Sequence, residues 1–96
     1  MDLNDLLREK REDILRIAKQ YGASNVRVFG SVARGEADEK SDIDLLVKLE
    51  QGRSLLDLAG LWMDLEELLN CKVDIVTEGG LRGRFGKYVL RDAVAL

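Results

Sequence analysis

The stretch GSVARGEADEKSDIDLLV, residues 30–47, decides the fold of this chain. It begins with Gly30 and Ser31, and ten residues separate this pair from Asp42 and Asp44. Glycine allows a tight turn that approaches a ligand closely. Ser31 can offer its hydroxyl and, at the start of a short helix, a backbone N–H to phosphate oxygens. The stretch therefore predicts a phosphate-binding turn at Gly30 and Ser31, with the carboxylates of Asp42 and Asp44 beside it.

Both halves of this motif lie at the ends of predicted strands. Residues 25–29, NVRVF, alternate polar and apolar side chains, and residues 42–49, DIDLLVKL, form a second β-rich run. Successive side chains of a strand point to opposite faces, so Asp42 and Asp44 share one face while the apolar residues between and after them enter the core. Carboxylate oxygens are hard ligands, which suit Mg²⁺ better than a softer metal.

A third carboxylate is expected beside this pair. Asp74 lies in the β-branched run of residues 72–77, and residues 54–70 predict a helix that connects the second strand to this one. The preferred connection makes the two strands parallel, which brings Asp74 level with Asp42 and Asp44. Carboxylates about 5 Å apart repel by roughly 3 kcal/mol per pair at an effective dielectric constant of about 20, a conflict that a divalent cation removes. Together with the glycine-serine turn, the three acids indicate a site for nucleotidyl transfer.

Each part of this motif also has an ordinary structural explanation. Asp-x-Asp pairs are frequent on solvated strand edges, and Asp74 taken alone is more typical of a surface acid. Ser41 either orients Asp42 or is a plain turn residue. Arg34 either contacts phosphates or forms a structural ion pair, and the pair is favoured. The functional interpretation depends on the combination, because an ordinary structural explanation would have to account for three acids on one sheet face beside a glycine-serine turn.

The run from Gly30 to Val47 resembles the signature of the minimal nucleotidyltransferases, a family of the DNA polymerase β-like superfamily. The resemblance is tightest over residues 26–47 and continues more loosely to Asp74. It implies an α/β fold of the α+β type, with a small mixed sheet of about three strands flanked by helices.

The resemblance also implies the roles of the site residues. Asp42 and Asp44 would bind both of two Mg²⁺ ions, and Asp74 would complete the first metal site and help to activate the acceptor hydroxyl. The turn formed by Gly30 and Ser31 would hold the triphosphate of ATP, the nucleotide donor. Two neighbouring residues are further candidates for nucleotide binding: Arg34 and Ser41.

Many chains with this signature resemble antitoxins paired with a HEPN-domain ribonuclease toxin. That family transfers AMP to a tyrosine of the toxin, so the resemblance implies a Mg²⁺-dependent antitoxin that modifies a HEPN partner. Two rivals stay open: a binding antitoxin that neutralises its toxin by occlusion, and a regulatory subunit that senses ATP without turnover. The C-terminal segment departs from the family pattern, because Gly83 and Gly86 interrupt it.

Length and charge narrow the choice of acceptor. The 96 residues suffice for one domain, 1–96, but not for a separate acceptor-binding domain, so the site should be open and the acceptor macromolecular. A net charge of −3 argues against direct nucleic-acid binding. One local cluster is basic, and it either meets an acidic partner or nucleotide phosphates or is a solvated helix face. It consists of Arg82, Arg84, Lys87 and Arg91.

The remaining composition predicts a cytoplasmic protein without a membrane span. Cys71 is the single cysteine and cannot form an internal disulfide, and no apolar run approaches the roughly 18 residues that a span needs. The charged N-terminal residues do not suit a secretory signal. The absence of histidine argues against a zinc or iron site. The chain could form a homo- or hetero-oligomer.

Three longer helices are expected around the sheet, in addition to a short helix near 31–35 that leads into an acidic loop at 36–40. Residues 3–21 show one broad apolar face and end at Gly22, which suits a helix C-cap. Ser54 to Asp57 resembles a capping box that opens the second helix, and a third should lie near 83–93. The second helix is so apolar that it predicts either a thick core contact or a partner interface. Its predicted core face is Leu55, Leu58, Ala59, Trp62, Leu65 and Leu69, widened by Leu56, Leu61, Met63 and Leu68.

Overall fold

The computed structural model describes residues 2–36, 42–81 and 83–96, and the predicted acidic loop at 36–40 lies largely outside this part of the chain. The elements, in chain order, are α1 (Leu3–Gln20), β1 (Ala23–Phe29), α2 (Gly30–Ala33), β2 (Ile43–Leu49), α3 (Leu55–Leu69), β3 (Val73–Thr77), a 3₁₀ turn (Glu78–Gly80), α4 (Gly83–Asp92) and β4 (Val94–Ala95).

The sheet is mixed, with strand order β3-β2-β1-β4. β2 and β3 are parallel, as the connecting helix predicts, whereas β1 is antiparallel to both of its neighbours. The expectation of about three strands is corrected by β4, which pairs Val94 with Val28 and Ala95 with Arg27. Two residues are too few to show a strand periodicity in the sequence. Four strands flanked by helices confirm the predicted fold class.

The first helix forms as its sequence predicts. The Asp2 side chain accepts a hydrogen bond from the backbone N–H of Asp5 at 2.8 Å and so caps the N-terminus of α1. Leu7, Ile14 and Ala18 turn inward and are buried. Gly22 follows the last turn with φ +77°, the left-handed conformation that ends many helices.

The long helix α3 begins at the predicted capping box, in which Ser54 and Asp57 bond reciprocally. Its core face differs from the predicted one. Leu55 is 79% exposed and Ala59 is also exposed. Apolar residues lie all around α3, so the spacing alone does not single out the side that faces the sheet. The buried residues of α3 are Leu61, Leu65 and Leu69.

The two faces of the sheet are covered differently. α1 and α3 pack against one face and enclose the main core, to which β2 contributes Ile43, Leu45 and Val47. The other face carries a smaller cluster in which α4 packs on the strands. Its buried members are Phe29, Leu46 and Val89. This second face is the one that bears the motif carboxylates, and α4 covers only part of it. Within the described ranges, each helix is too short or too polar to span a bilayer.

Candidate functional site

The register of the sheet brings the carboxylates together. Asp44 on β2 is the direct register partner of Asp74 on the parallel strand β3 and of Phe29 on β1. Asp42 immediately precedes β2, where the N–H of Ile43 bonds the carbonyl of the residue before β3. The prediction that Asp74 lies level with Asp44 is therefore confirmed.

Gly30 approaches Asp44 more closely than any other residue type could. Its φ is +73°, and a Cβ atom built on it would lie 3.2 Å from Asp44 Cγ and closer still to Oδ2. A side chain here would therefore be strained and would displace the carboxylate. Ser31 follows within the single turn of α2 and is half-buried. The glycine-serine turn thus lies directly against the central motif acid.

The electrostatics of the site show that the acids interact. Burial raises the pKa of the Asp44 carboxyl, the carboxylates of Asp74 and then Asp42 raise it further, and Arg34 opposes them. Near the other end of the site, Lys72 Nζ lies 3.9 Å from Asp42 Oδ2. Like charges held in partial burial favour the neutral form of one of them unless a cation is present.

The donor set suits a hard cation, but it is not arranged as a closed ligand shell. Within residues 2–36, 42–81 and 83–96, no group of three acidic, cysteine or histidine side chains is close enough to hold a metal ion as it stands. The expected convergence of three carboxylates is therefore only partly formed. Oxygen-only donors match Mg²⁺ in chemistry, and metal binding would require these side chains to turn towards a common point.

Arg34 forms the structural pair that the sequence favoured. Its Nη1 donates to Asp92 Oδ2 at 2.9 Å and its Nε to Glu36 Oε2 at 3.1 Å. The first bond ties the end of α2 to the end of α4. Phosphate binding by Arg34 stays a prediction, and so does the role of Ser41, which lies outside the described residues.

Sequence reasoning missed several supports of this site. Asp92 is 58 residues from Arg34, so no local pattern could link the two. Glu66 and Trp62 of α3 hold the first residue of β3: Glu66 Oε2 accepts the N–H of Val73 at 3.1 Å, and the Trp62 indole N–H donates to the Val73 carbonyl. These bonds fix the outer edge of the strand that carries Asp74. The helical spacing of Trp62 and Glu66 is the only sequence signal for this pairing.

The basic cluster lies on α4. Its described members line a groove of about 350 Å³ on the outer side of the helix together with Tyr88, and the Arg91 guanidinium lies 4.9 Å from the centre of the Tyr88 ring. Tyr88 and Leu90 are both more than half exposed. Arg82 lies outside the described residues. The cationic members of this groove, named here the basic groove, are Arg84, Lys87 and Arg91.

Comparison with known proteins identifies the family. The family model of the nucleotidyltransferase domain matches residues 7–96, so the chain belongs to this family. A protein of Methanocaldococcus jannaschii named a candidate protein adenylyltransferase is 38% identical over 94 residues, which cover 98% of this chain and 97% of that protein. The protein adenylyltransferase MntA of Thermococcus cleftensis is 42% identical over 78 residues, covering 81% and 79%.

Solved structures agree with this assignment. A structure of a candidate minimal nucleotidyltransferase superposes with a TM-score of 0.88 at 56% identity, covering 100% of this chain and 97% of the other. A chain from the crystal structure of a toxin-antitoxin with AMP-PNP has a TM-score of 0.75 at 20% identity, covering 88% and 69%. The second likeness shows the fold alone. The chain is therefore similar in fold to the minimal nucleotidyltransferases over its whole length.

Proposed function

We propose that this chain transfers AMP from ATP to a hydroxyl group of a partner protein in a Mg²⁺-dependent reaction. The observation that carries the proposal is the contact of Gly30 with Asp44, since it sets a turn without a side chain against a carboxylate whose strand neighbour is Asp74. Glycine adopts this left-handed conformation without strain, and its missing side chain leaves the space that close approach of a ligand needs. Membership of the nucleotidyltransferase domain family supplies the reaction class.

The proposed mechanism assigns one task to each residue. Asp42, Asp44 and Asp74 would hold two Mg²⁺ ions, which when bound polarise the phosphoryl oxygens and offset the charge that develops in transfer. Gly30 would leave room for the triphosphate, and the Ser31 hydroxyl would donate a hydrogen bond to it. The acceptor oxygen attacks the α-phosphorus, the bond from this phosphorus to the bridging oxygen breaks, and pyrophosphate leaves.

Asp74 is the proposed base for the acceptor hydroxyl. It lies on β3 at the side of Asp44 away from the glycine turn, because β2 separates β3 from β1 in the sheet. The donor phosphates and the acceptor would thus enter from opposite sides of Asp44. Such a separation suits in-line displacement, in which the attacking and leaving oxygens lie on opposite sides of the phosphorus.

The acceptor is proposed to be a tyrosine of a HEPN-domain toxin. Support comes from the names of the M. jannaschii and T. cleftensis relatives and from the fold likeness to a chain of a toxin-antitoxin structure. The half-exposed position of the carboxylates also suits an acceptor that arrives on a protein surface. A binding antitoxin without turnover is the rival, and the exposed apolar side chains of α3 favour it. They are Leu55, Leu56 and Met63.

Transfer of label separates these functions. The chain is incubated with Mg²⁺, ATP labelled at the α-phosphorus and the purified protein encoded beside its gene, and a parallel reaction uses ATP labelled at the γ-phosphorus. AMP transfer predicts covalent α-label on the partner and none from the γ-position. Binding without catalysis predicts a stable complex without label, and that outcome would overturn the proposal.

Matched variants test the assignment of the site. Asp42→Asn and Asp44→Asn should each reduce the rate by more than the roughly 10- to 100-fold expected for residues that only support a metal ligand. Glu12→Gln removes an exposed carboxylate of α1 and should leave the rate unchanged. Transfer near the normal rate by either aspartate variant would show that these carboxylates do not hold the reacting groups.

A further inference from the structure

The outer side of α4 presents one tyrosine among cations. Tyr88 is 55% exposed and lines the basic groove with Arg84, Lys87 and Arg91. The spacing from 84 to 91 places all four on one side of the helix. In the described residues, no carboxylate pairs with Arg84 or Lys87, and Arg91 reaches only Asp92, at 3.6 Å. A basic groove around a hydroxyl is unusual on a chain with a net charge of −3.

The other tyrosine of the chain is engaged elsewhere. Tyr21 Oη donates a hydrogen bond to Asp64 Oδ2 at 2.6 Å, between α1 and α3. This bond and the Asp64 carboxylate raise the cost of removing its proton, whereas the cations around Tyr88 would stabilise a phosphate attached to its oxygen. Of the two tyrosines, only Tyr88 therefore combines exposure with surroundings that accept a nucleotide.

Charge complementarity points to a second copy of the chain as the nucleotide donor. The residues that line the basic groove do not include any of the motif carboxylates. The edge that carries Asp42, Asp44 and Asp74 is acidic, and bound ATP adds further negative charge. The basic groove of one copy is therefore attracted to the catalytic edge of another, and opposite charges of this kind steer association.

We infer that Tyr88 accepts AMP from a second copy of this chain, an inference that rests on the proposed function. Tyr88 Oη forms a bond to the α-phosphorus of ATP held by the other copy. The bond from this phosphorus to the oxygen that bridges to the β-phosphorus breaks, pyrophosphate leaves, and the phenol proton passes to Asp74 of the other copy, the proposed base. The product is a phosphodiester on Tyr88 whose negative charge lies among Arg84, Lys87 and Arg91.

The test mixes two forms of the full chain that differ in size through a tag. Asp44→Asn, which keeps Tyr88, serves as acceptor, and Tyr88→Phe, which keeps the site, serves as enzyme. With Mg²⁺ and ATP labelled at the α-phosphorus, label should appear on the Asp44→Asn copy alone, at Tyr88 by peptide mass spectrometry. Tyr21→Phe in an otherwise unchanged chain should be labelled like the unsubstituted chain. Tyr88→Phe alone should fall to background.

The charges give a second measurement. Arg84→Glu with Lys87→Glu should slow labelling at low salt, and the difference should shrink at about 1 M salt, where the screening length falls from about 10 Å to about 3 Å. Equal labelling of Tyr88→Phe and the unsubstituted chain, or an unlabelled Asp44→Asn copy in the mixture, would overturn the inference. A parallel reaction with the neighbouring partner protein distinguishes the two proposals. If the partner is labelled and this chain is not, only the inference about Tyr88 is rejected. If neither protein is labelled, both that inference and the proposed function are rejected.

Discussion

Replacing Gly30 by alanine tests the close approach on which the site depends. Gly30 has φ +73°, and an added Cβ would contact the Asp44 carboxylate, with Cγ at 3.2 Å. Gly35 provides a matched control on the other side of α2, because its φ is +72° and a Cβ there would meet no atom within 4 Å. The two variants share the backbone strain, and only one adds the contact with the motif acid.

The magnitude follows from this comparison. A non-glycine residue in the left-handed region costs roughly 1–2 kcal/mol, which in a domain of this size lowers Tm by about 4–16 °C. The restriction that alanine imposes on the unfolded chain is the same at both positions and cancels in the difference. Gly35→Ala should therefore lose about 1–2 kcal/mol. Gly30→Ala should lower the free energy of unfolding by more than this. It should also displace the Asp44 carboxylate and so reduce the rate of AMP transfer on the order of 100-fold.

Urea unfolding without metal measures both stabilities, and label transfer from ATP to the partner measures both activities at a temperature where each variant is folded. A Gly30→Ala variant that is no less stable than Gly35→Ala and equally active would refute the reasoning, since the contact with Asp44 would then have no effect. A second variant, Gly30→Ala with Asp44→Ala, should recover the excess loss of stability but not the activity.

Three further predictions concern the carboxylates and the edge of the sheet. Mg²⁺ with ATP should stabilise the chain by about 2.7 kcal/mol at 100 times the dissociation constant, and it should stabilise the double variant Asp42→Asn/Asp44→Asn much less. Thermal melts with and without both ligands measure the two gains. Equal gains in both proteins would indicate a nonspecific ion effect. Without metal, Asp44→Asn should be more stable than the unsubstituted chain, and this gain in stability should grow as the pH rises above about 3.9. The reason is that burial and the neighbouring acids raise the pKa of Asp44 in the folded chain and make its ionisation unfavourable. Urea melts from pH 4 to 7 measure the gain, and a gain that does not grow with pH would contradict the prediction. Glu66→Ala should cost about 1–3 kcal/mol by leaving the Val73 N–H without a partner, whereas the exposed Glu67→Ala should change unfolding by no more than about 0.5 kcal/mol in the same urea titration.

Local patterns predicted the central part of the fold because they are determined within a few residues. The capping box at Ser54 and the left-handed Gly22 are set by hydrogen bonds and backbone sterics of one turn. The parallel pairing of β2 with β3 follows from the handedness of a helical connection. The helix that begins at Ser54 and the parallel connection led to the prediction that Asp74 lies level with Asp44, which the register confirms.

Contacts between distant segments were not predictable in the same way. β4 is two residues long and pairs only because α4 returns the chain to the edge of β1. The exposure of Leu55 was not predictable because apolar residues lie all around α3, so periodicity does not identify the side that packs on the sheet. One missed signal was present: residues 45–47, LLV, interrupt the alternation of β2, and such a run indicates a strand buried on both faces. Leu46 is indeed enclosed by α4.

The partial cover that α4 gives to the second face explains the character of the site. Leu46 and Phe29 lie under α4, and Asp44 is the register partner of Phe29, so the carboxylate lies at the margin of an apolar cluster. A margin removes enough water to raise the pKa of Asp44, yet it leaves the acid open to solvent and ligand. A fully covered face would exclude the nucleotide, and a bare face would leave the acids hydrated and weakly coupled. The Arg34–Asp92 bond ties the end of α2 to the end of α4 at this margin. Arg34→Ala should therefore raise the KM for ATP in the label-transfer assay, whereas urea unfolding should change by no more than about 1 kcal/mol, because partly exposed ion pairs contribute little to stability.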